Sequence, residues 1–134
     1  MAGYSGKPLI AKLGLKAPHR LQIRGAPRGF KSVLGRLPTG AAIVPVSSET
    51  ADCVLLFTSA AAELEVSFPQ AAASLPPSGM LWVAWPKKAA KVPTDLTGNV
   101  VRKIGLRHGL VDVKVSAITD VWSGLKFVRR LRDR

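Results

Sequence analysis

Two uninterrupted apolar runs constrain the fold of this chain more than any other feature. Residues 53–57 read C-V-L-L-F and residues 80–85 read M-L-W-V-A-W, with no charged side chain in either run. A run that is apolar at every position is typical of a strand that is covered on both faces of its sheet. We therefore predict buried strands at residues 52–58 and 80–85.

The segments around these runs alternate between strand and helix patterns. Further strands are predicted at residues 19–24, 42–46, 112–121 and 125–131. Helices are predicted at residues 7–13, 30–37 and 94–108, and one more is expected to begin at Ser59. Strands that alternate with helices indicate an α/β fold with a small doubly wound, mostly parallel sheet.

Local signals refine this prediction. We expect Ser5 to cap the first helix, Pro69 to kink or divide the third, and residues 122–124 (W-S-G) to form the turn of a C-terminal antiparallel hairpin. The length of 134 residues suits a single domain over residues 1–134.

The weak strand at residues 42–46 lies unusually close to the next one. Only residues 47–51 separate the two, whereas adjacent parallel strands need a crossover of about a dozen residues or more. Three arrangements stay open: the strand is not adjacent to the next one, is antiparallel to it, or is not a strand.

The charge balance favours anionic partners. The net charge is +12, from 20 basic and 8 acidic side chains. The central residues 51–85 carry three acids and no base, so the positive charge lies in the two flanking parts. Such a balance attracts polyanions at long range, and it also simply keeps a small protein in solution.

Several observations favour the cytoplasm. Cys53 is the single cysteine, so no internal disulfide forms. The longest uncharged stretch, residues 66–86, contains Pro69, Pro76, Pro77 and Pro86 and does not resemble a membrane helix. Residues 1–15 do not resemble a signal peptide. We therefore expect no membrane association, and the oligomeric state stays open.

Basic residues follow two of the predicted parallel strands. In an open α/β sheet, ligands bind beyond the carboxyl ends of the strands, where the strand order reverses. The first loop there is R-G-A-P-R-G, residues 24–29, and it leads into a helix whose N–H groups favour an anion. The candidate anion- or partner-binding residues are Arg24, Arg28, Trp85, Lys87 and Lys88. The competing interpretation is an ordinary solvated, lysine-rich edge.

No residue stands out as catalytic. Cys53 lies within an apolar strand and is best explained as a structural thiol. His19 and His108 are far apart in sequence and have no metal-ligand spacing with it. Asp52 is interpreted as a residue at the start of a strand, and Asp95 as a residue at the start of a helix. Trp82 is interpreted as core.

Several segments together resemble a family of small bacterial proteins known only as a domain of unknown function. Its most specific parts are W-P-K-K at residues 85–88 and W-S-G-L-K-F at residues 122–127. The remaining segments are residues 4–9, 15–16, 24–27, 62–64, 79–84, 94–97 and 109–115. The match spans nearly the whole chain, and the family implies no activity.

The layout also resembles a shortened S-adenosylmethionine-dependent methyltransferase, which implies a Rossmann-like, methyltransferase-like fold. This resemblance places the cofactor's methionine end at Gly25, Ala26, Pro27, Arg28 and Gly29. The loop departs from G-x-G-x-x-G, and Pro27 removes one N–H group. Glu49, the nearest acid, lies three residues past Val46, so no acid directly follows the second strand to hold ribose hydroxyls.

Three interpretations of function follow. The main one is a non-catalytic or vestigial methyltransferase-like module that binds an anionic ligand or partner at the basic edge. The first alternative is an active S-adenosylmethionine-dependent methyltransferase. The second is a nucleic-acid- or ribosome-associated protein, because the chain ends in the basic segment R-R-L-R-D-R at residues 129–134. The residues alone name neither a cofactor nor a reaction.

Overall fold

Six strands form one mixed sheet in the order β2-β1-β3-β4-β6-β5. The structure is a computed structural model, and it describes residues 8–134. The strands are β1 Arg20–Arg24, β2 Ala42–Val44, β3 Cys53–Phe57, β4 Met80–Pro86, β5 Leu110–Ala117 and β6 Trp122–Arg129. The helices are α1 Leu9–Leu13, α2 Phe30–Leu34, α3 Ala61–Ala73 and α4 Gly98–Arg107, with short 3-10 turns at Lys88–Ala90 and Leu131–Asp133.

The strand directions confirm the predicted doubly wound α/β architecture. Strands β2, β1, β3 and β4 are parallel to one another. Strand β6 is antiparallel to β4 on one side and to β5 on the other. From β1 the chain moves outward to β2 and then returns past β1 to β3. The strand order therefore reverses between β1 and β3.

The position of β2 explains the short connection that follows it. Strand β2 pairs in parallel with β1 and does not touch β3, so the first of the three open arrangements is correct. The return link crosses near β1, where the buried Gln22 amide donates to the carbonyls of Pro45 (3.3 Å) and Val46 (3.4 Å). This contact holds the link against β1.

Each face of the sheet is covered by its own pair of helices. Helices α1 and α2 pack on the face that presents Leu55 and Trp82, and α3 and α4 pack on the face that presents Val54 and Leu81. Every residue of β3 and β4 is buried, as the two apolar runs predict. The Trp82 indole N–H donates to the Leu13 carbonyl at 3.1 Å, which satisfies its one polar group.

Two predicted helices have different extents from those expected. Helix α2 ends at Leu34 rather than at residue 37, because Gly35 leaves helical geometry with a φ of +81°. Helix α3 begins after Ala60 and is not divided at Pro69. Buried side chains on both sides of the proline pack into one core, which holds the two halves of the helix together. They are Leu64 and Phe68 before it and Ala71 and Ala72 after it.

The start of α4 lies four residues later than predicted. Thr97 is its N-cap, and its hydroxyl accepts a hydrogen bond from the Val100 N–H at 3.2 Å. The helix ends at Arg107, with His108 at its C-cap. Helix α1 begins at Leu9 after Pro8, and the predicted cap Ser5 lies outside the described residues.

The C-terminal hairpin is present, but its turn is not W-S-G. Residues 122–124 lie inside β6 and pair with the end of β4. The turn is formed by residues 118–121, where the Thr119 hydroxyl accepts from the N–H groups of Val121 (3.0 Å) and Trp122 (3.1 Å). No helix within residues 8–134 is long and apolar enough to cross a membrane.

Candidate functional site

The carboxyl ends of the parallel strands bring several loops to one edge of the sheet. Residues 25–29 follow β1, residues 58–60 follow β3, and residues 87–97 follow β4. The turn between β5 and β6 joins them, since the Lys87 N–H donates to the Val121 carbonyl at 2.8 Å. This carboxyl edge is where ligands bind in open α/β sheets.

The loop after β1 lies directly over the reversal of strand order. Gly25 has a φ of +69°, and a Cβ at this position would lie 2.7 Å from the Phe57 carbonyl oxygen at the end of β3. Only glycine permits this approach. Gly29 also has a positive φ, +81°, but nothing lies within 4 Å of where its Cβ would be. The loop is thus tightly seated at Gly25 and open at Gly29.

A cavity of about 310 Å³ lies beside this loop. Its lining includes Ile23, Ala26, Pro27, Gly29, Phe30 and Lys31. Three of the five predicted cofactor-binding residues therefore line one cavity. Helix α2, which follows, has only five residues, and two N–H groups near its start donate to loop carbonyls: Phe30 to Pro27 and Ser32 to Gly29, both at 3.1 Å.

Arg24 turns toward the α3–α4 face. Its Nε donates to the Oε1 of Gln22 at 2.6 Å, and Gln22 in turn holds the link after β2. Lys87 lies close enough to Lys12 of α1, on the opposite face, that its charge helps to lower the Lys12 pKa. Arg24 is thus held by Gln22, while Arg28 and Lys88 are exposed.

The loop before α4 closes over the end of β3. The Thr94 hydroxyl donates to the Ser59 carbonyl at 2.6 Å, and Asp95 accepts from the Ala61 N–H at 2.8 Å. Asp95 is therefore a helix-start residue, but of α3 rather than of the helix that follows it. Sequence reasoning missed this role because cap and helix are 34 residues apart.

Thr58, at the end of β3, donates to the Glu63 carboxylate at 2.7 Å.

Trp85 is mostly buried at the end of β4, with 7% of its surface exposed. Two cavities of about 380 Å³ each reach the exposed part, and both are lined by Trp85, Thr97 and Gly98. One of them also contacts Lys88 and the other contacts Arg102. The predicted partner-binding residues Trp85 and Lys88 are thus brought together.

A buried lysine was missed by the sequence analysis. Lys12 of α1 is 4% exposed, and its ammonium donates to the Ala117 carbonyl at 3.4 Å. Burial is the main cause of its lowered pKa, and the nearby charges of Lys87 and Lys114 lower the pKa further. The one signal in the sequence is that Lys12 lies beside Leu13 and three residues after Leu9, on the apolar side of a short helix.

The residues that could act as a nucleophile or a metal ligand have structural roles instead. Cys53 is fully buried, and burial raises the pKa of its thiol to about 12. His19 accepts from the Lys16 N–H, and His108 stacks on Phe68 and contacts Glu65 at 3.1 Å. Among residues 8–134, no three His, Cys, Asp or Glu side chains cluster as metal ligands.

The basic C-terminal segment is partly committed to the fold. The Arg129 guanidinium donates to the carbonyls of Ala72 (2.9 Å) and Leu75 (2.8 Å), which lie at and just beyond the C-terminal end of α3. Residues 131–133 form a short 3-10 turn, and the Arg134 side chain donates to the Arg129 carbonyl at 2.9 Å. Arg129 thus stabilises α3 rather than extending into solvent.

Comparison with solved structures finds methyltransferases. The chain is similar to the 1,6-didemethyltoxoflavin-N1-methyltransferase of Burkholderia thailandensis, solved with 1,6-didemethyltoxoflavin and S-adenosylhomocysteine bound. The identity is 15%, the match covers 90% of this chain and 74% of that one, and the TM-score is 0.58. A methyltransferase from Aquifex aeolicus matches at 12% identity over 93% and 89% of the two chains, with a TM-score of 0.65.

A third similar structure is the magnesium protoporphyrin IX methyltransferase of Synechocystis with bound S-adenosylhomocysteine. It matches at 12% identity over 91% of this chain and 78% of that one, with a TM-score of 0.58. No protein-family model matches the chain, and no curated protein does. At these identities the likeness establishes the fold, so the methyltransferase-like architecture implied by the resemblance is confirmed.

Proposed function

We propose that this chain binds S-adenosylmethionine beyond the carboxyl ends of β1 and β3 and acts as a methyltransferase. The observation that carries the proposal is the seating of the glycine-containing loop over the reversal of strand order, where ligands bind in this class of sheet. Two of the similar structures hold S-adenosylhomocysteine. Bound here, the cofactor would supply an electrophilic methyl group.

The loop fits such a cofactor better than the end of β2 does. Gly29 leaves open space beside the cavity of about 310 Å³, so the backbone of residues 25–29 would hold the ligand. Strand β2 ends at Val44 and is followed by Pro45, and the exposed Glu49 comes five residues after the strand. The ribose end would therefore be held without a carboxylate from this strand.

Two glycines that flank α2 offer a test of this loop. Gly29 and Gly35 both have a φ of +81° and nothing within 4 Å of an added Cβ. Gly29 has a ψ of 0°, in the left-handed region, so Gly29→Ala should cost about 1–2 kcal/mol. Gly35 has a ψ of −162°, in a region that is almost restricted to glycine, so Gly35→Ala should cost at least as much, about 1–3 kcal/mol. Only Gly29→Ala places a methyl group in the cofactor cavity. We expect calorimetry to show S-adenosylhomocysteine binding that Gly29→Ala weakens at least about tenfold and Gly35→Ala preserves.

Wild-type protein that is folded but gives no binding heat with millimolar S-adenosylmethionine or S-adenosylhomocysteine would contradict the proposal. An equal loss of affinity in both glycine variants would also contradict it, because the effect would then come from α2 and not from contact with the ligand.

A second candidate function is a non-catalytic module that binds an anion at the basic edge. It is favoured by Lys87 and Lys88, neither of which forms an ion pair with any carboxylate of residues 8–134. In the same calorimeter, this candidate requires pyrophosphate binding that the double variant Lys87→Ala/Lys88→Ala removes. The nucleic-acid alternative and the kinship with the uncharacterised bacterial family remain predictions.

A further inference from the structure

Gly98 is unusual among the glycines of residues 8–134. The others have either a positive φ or a neighbouring atom 3.0 Å or less from an added Cβ, whereas Gly98 has neither. It is the first residue of α4, where alanine would favour the helix. Neither backbone geometry nor core packing therefore requires glycine here.

The missing side chain at Gly98 exposes one edge of Trp85. An added Cβ would lie 3.7 Å from the Trp85 Cζ2 atom, in ordinary van der Waals contact. The two cavities of about 380 Å³ lie around this point, and both include Trp85, Thr97 and Gly98 in their lining. We call their combined lining the Trp85 groove. Each cavity has a volume within the range of small-molecule sites.

The Trp85 groove has an apolar floor and a net positive rim. Leu96 and Leu125 lie on the floor beside Trp85. Lys88 lies at one end and makes no ion pair with a described carboxylate, while Arg102 at the other end is paired with Asp112 at 3.3 Å. One positive charge is thus left over at the Lys88 end. An apolar floor with one cationic end suits a flat ring that carries one negative group.

We propose that the Trp85 groove binds a small planar aromatic anion, with its ring against the exposed edge of Trp85 and its carboxylate at Lys88. The positive ring edge of tryptophan favours the negative face of a second ring in a T-shaped contact. This site goes beyond the proposed function and stands without it.

The test is a calorimetric titration with 2-naphthoate as the probe. We expect binding to the wild type, and weaker binding of cyclohexanecarboxylate, which has the charge but no aromatic face. The cation 2-naphthylmethylammonium should not bind. Gly98→Ala should weaken naphthoate binding severalfold without lowering the melting temperature, and Gly98→Leu should abolish binding. Lys88→Ala should weaken it about tenfold through loss of a charge-assisted contact.

Lys103→Ala is the matched control, because Lys103 is exposed on α4 and lines neither cavity. Wild-type protein that does not bind millimolar naphthoate would overturn the proposal. Unchanged affinity in Gly98→Ala together with unchanged affinity in Lys88→Ala would do so as well. Because Gly98 lies outside the cofactor loop, its variants should keep their affinity for S-adenosylhomocysteine, so the two proposals fail separately.

Discussion

Two buried titratable side chains respond oppositely to alkaline pH. Cys53 on β3 has a raised pKa because it is buried, so the folded state retains its proton longer than the unfolded chain does. Lys12 on α1 has a lowered pKa, because burial and then the charges of Lys87 and Lys114 disfavour its ammonium form. Deprotonation of Cys53 therefore destabilises the fold, while deprotonation of Lys12 relieves an unfavourable charge.

For Cys53 we expect stability that is full below its unfolded pKa of 9.0 and lost as the pH rises toward the folded value of about 12. Between pH 8 and pH 10.5, wild type should lose about 2 kcal/mol more unfolding free energy than Cys53→Ala does. Urea denaturation at both pH values measures this. The two proteins share every lysine, so parallel losses in both would contradict the prediction.

At the scale of elements, α4 approaches the sheet through one glycine. A Cβ at Gly105 would lie 2.5 Å from the Cζ atom of Phe127 on β6, so the helix backbone rests almost directly on the aromatic ring. Phe127 also packs edge-on against Phe68 of α3, with ring centroids 5.2 Å apart. The phenyl ring thus fixes how closely α4 lies against the sheet, beside the edge where the Trp85 groove is formed.

Gly105→Ala should therefore destabilise the protein by about 1–3 kcal/mol through overpacking, although alanine is the better helix former. Gly98→Ala, in the same helix but with its nearest contact at 3.7 Å, should be neutral or stabilising by up to about 1 kcal/mol. Denaturant midpoints of the two variants provide the comparison. A Gly105→Ala protein as stable as wild type would mean that the helix can move away from the ring freely.

At the scale of the whole molecule, the excess of positive charge opposes folding. The net charge is +12, and the described ion pairs are few and mostly exposed, for example Arg20 with Asp52 at 3.4 Å and Arg102 with Asp112 at 3.3 Å. Exposed pairs stabilise weakly, typically by about 0–1 kcal/mol. Repulsion among the uncompensated cations is therefore the larger electrostatic contribution.

Added salt should stabilise this protein. Raising sodium chloride from about 10 mM to about 150 mM shortens the screening length from about 30 Å to about 8 Å, which weakens long-range repulsion more than close pairs. We expect the melting temperature to rise by a few degrees, as calorimetry would record. A melting temperature that falls over the same range would show that the ion pairs outweigh the repulsion.

Much of the fold could be predicted because the relevant forces act locally. The two apolar runs predicted strands buried on both faces. A strand with apolar side chains on both faces must be covered by helices on both sides of the sheet. The extents of α2 and α4 were less predictable. Gly35 ends α2 through its own backbone geometry, but Thr94 and Asp95 resemble the start of a helix and instead bind the end of β3 and the start of α3.

The candidate site depended more strongly on tertiary structure. Sequence determined that residues 24–29 and 85–88 lie at the carboxyl ends of parallel strands, so they reach one edge of the sheet, because parallel strands end on the same side. Only the tertiary structure decided that Arg24 turns to Gln22, that Trp85 keeps one edge exposed beside Gly98, and that residues 122–124 pair with β4. Periodicity records which faces of an element are apolar, whereas contacts between residues distant in sequence depend on how the elements pack.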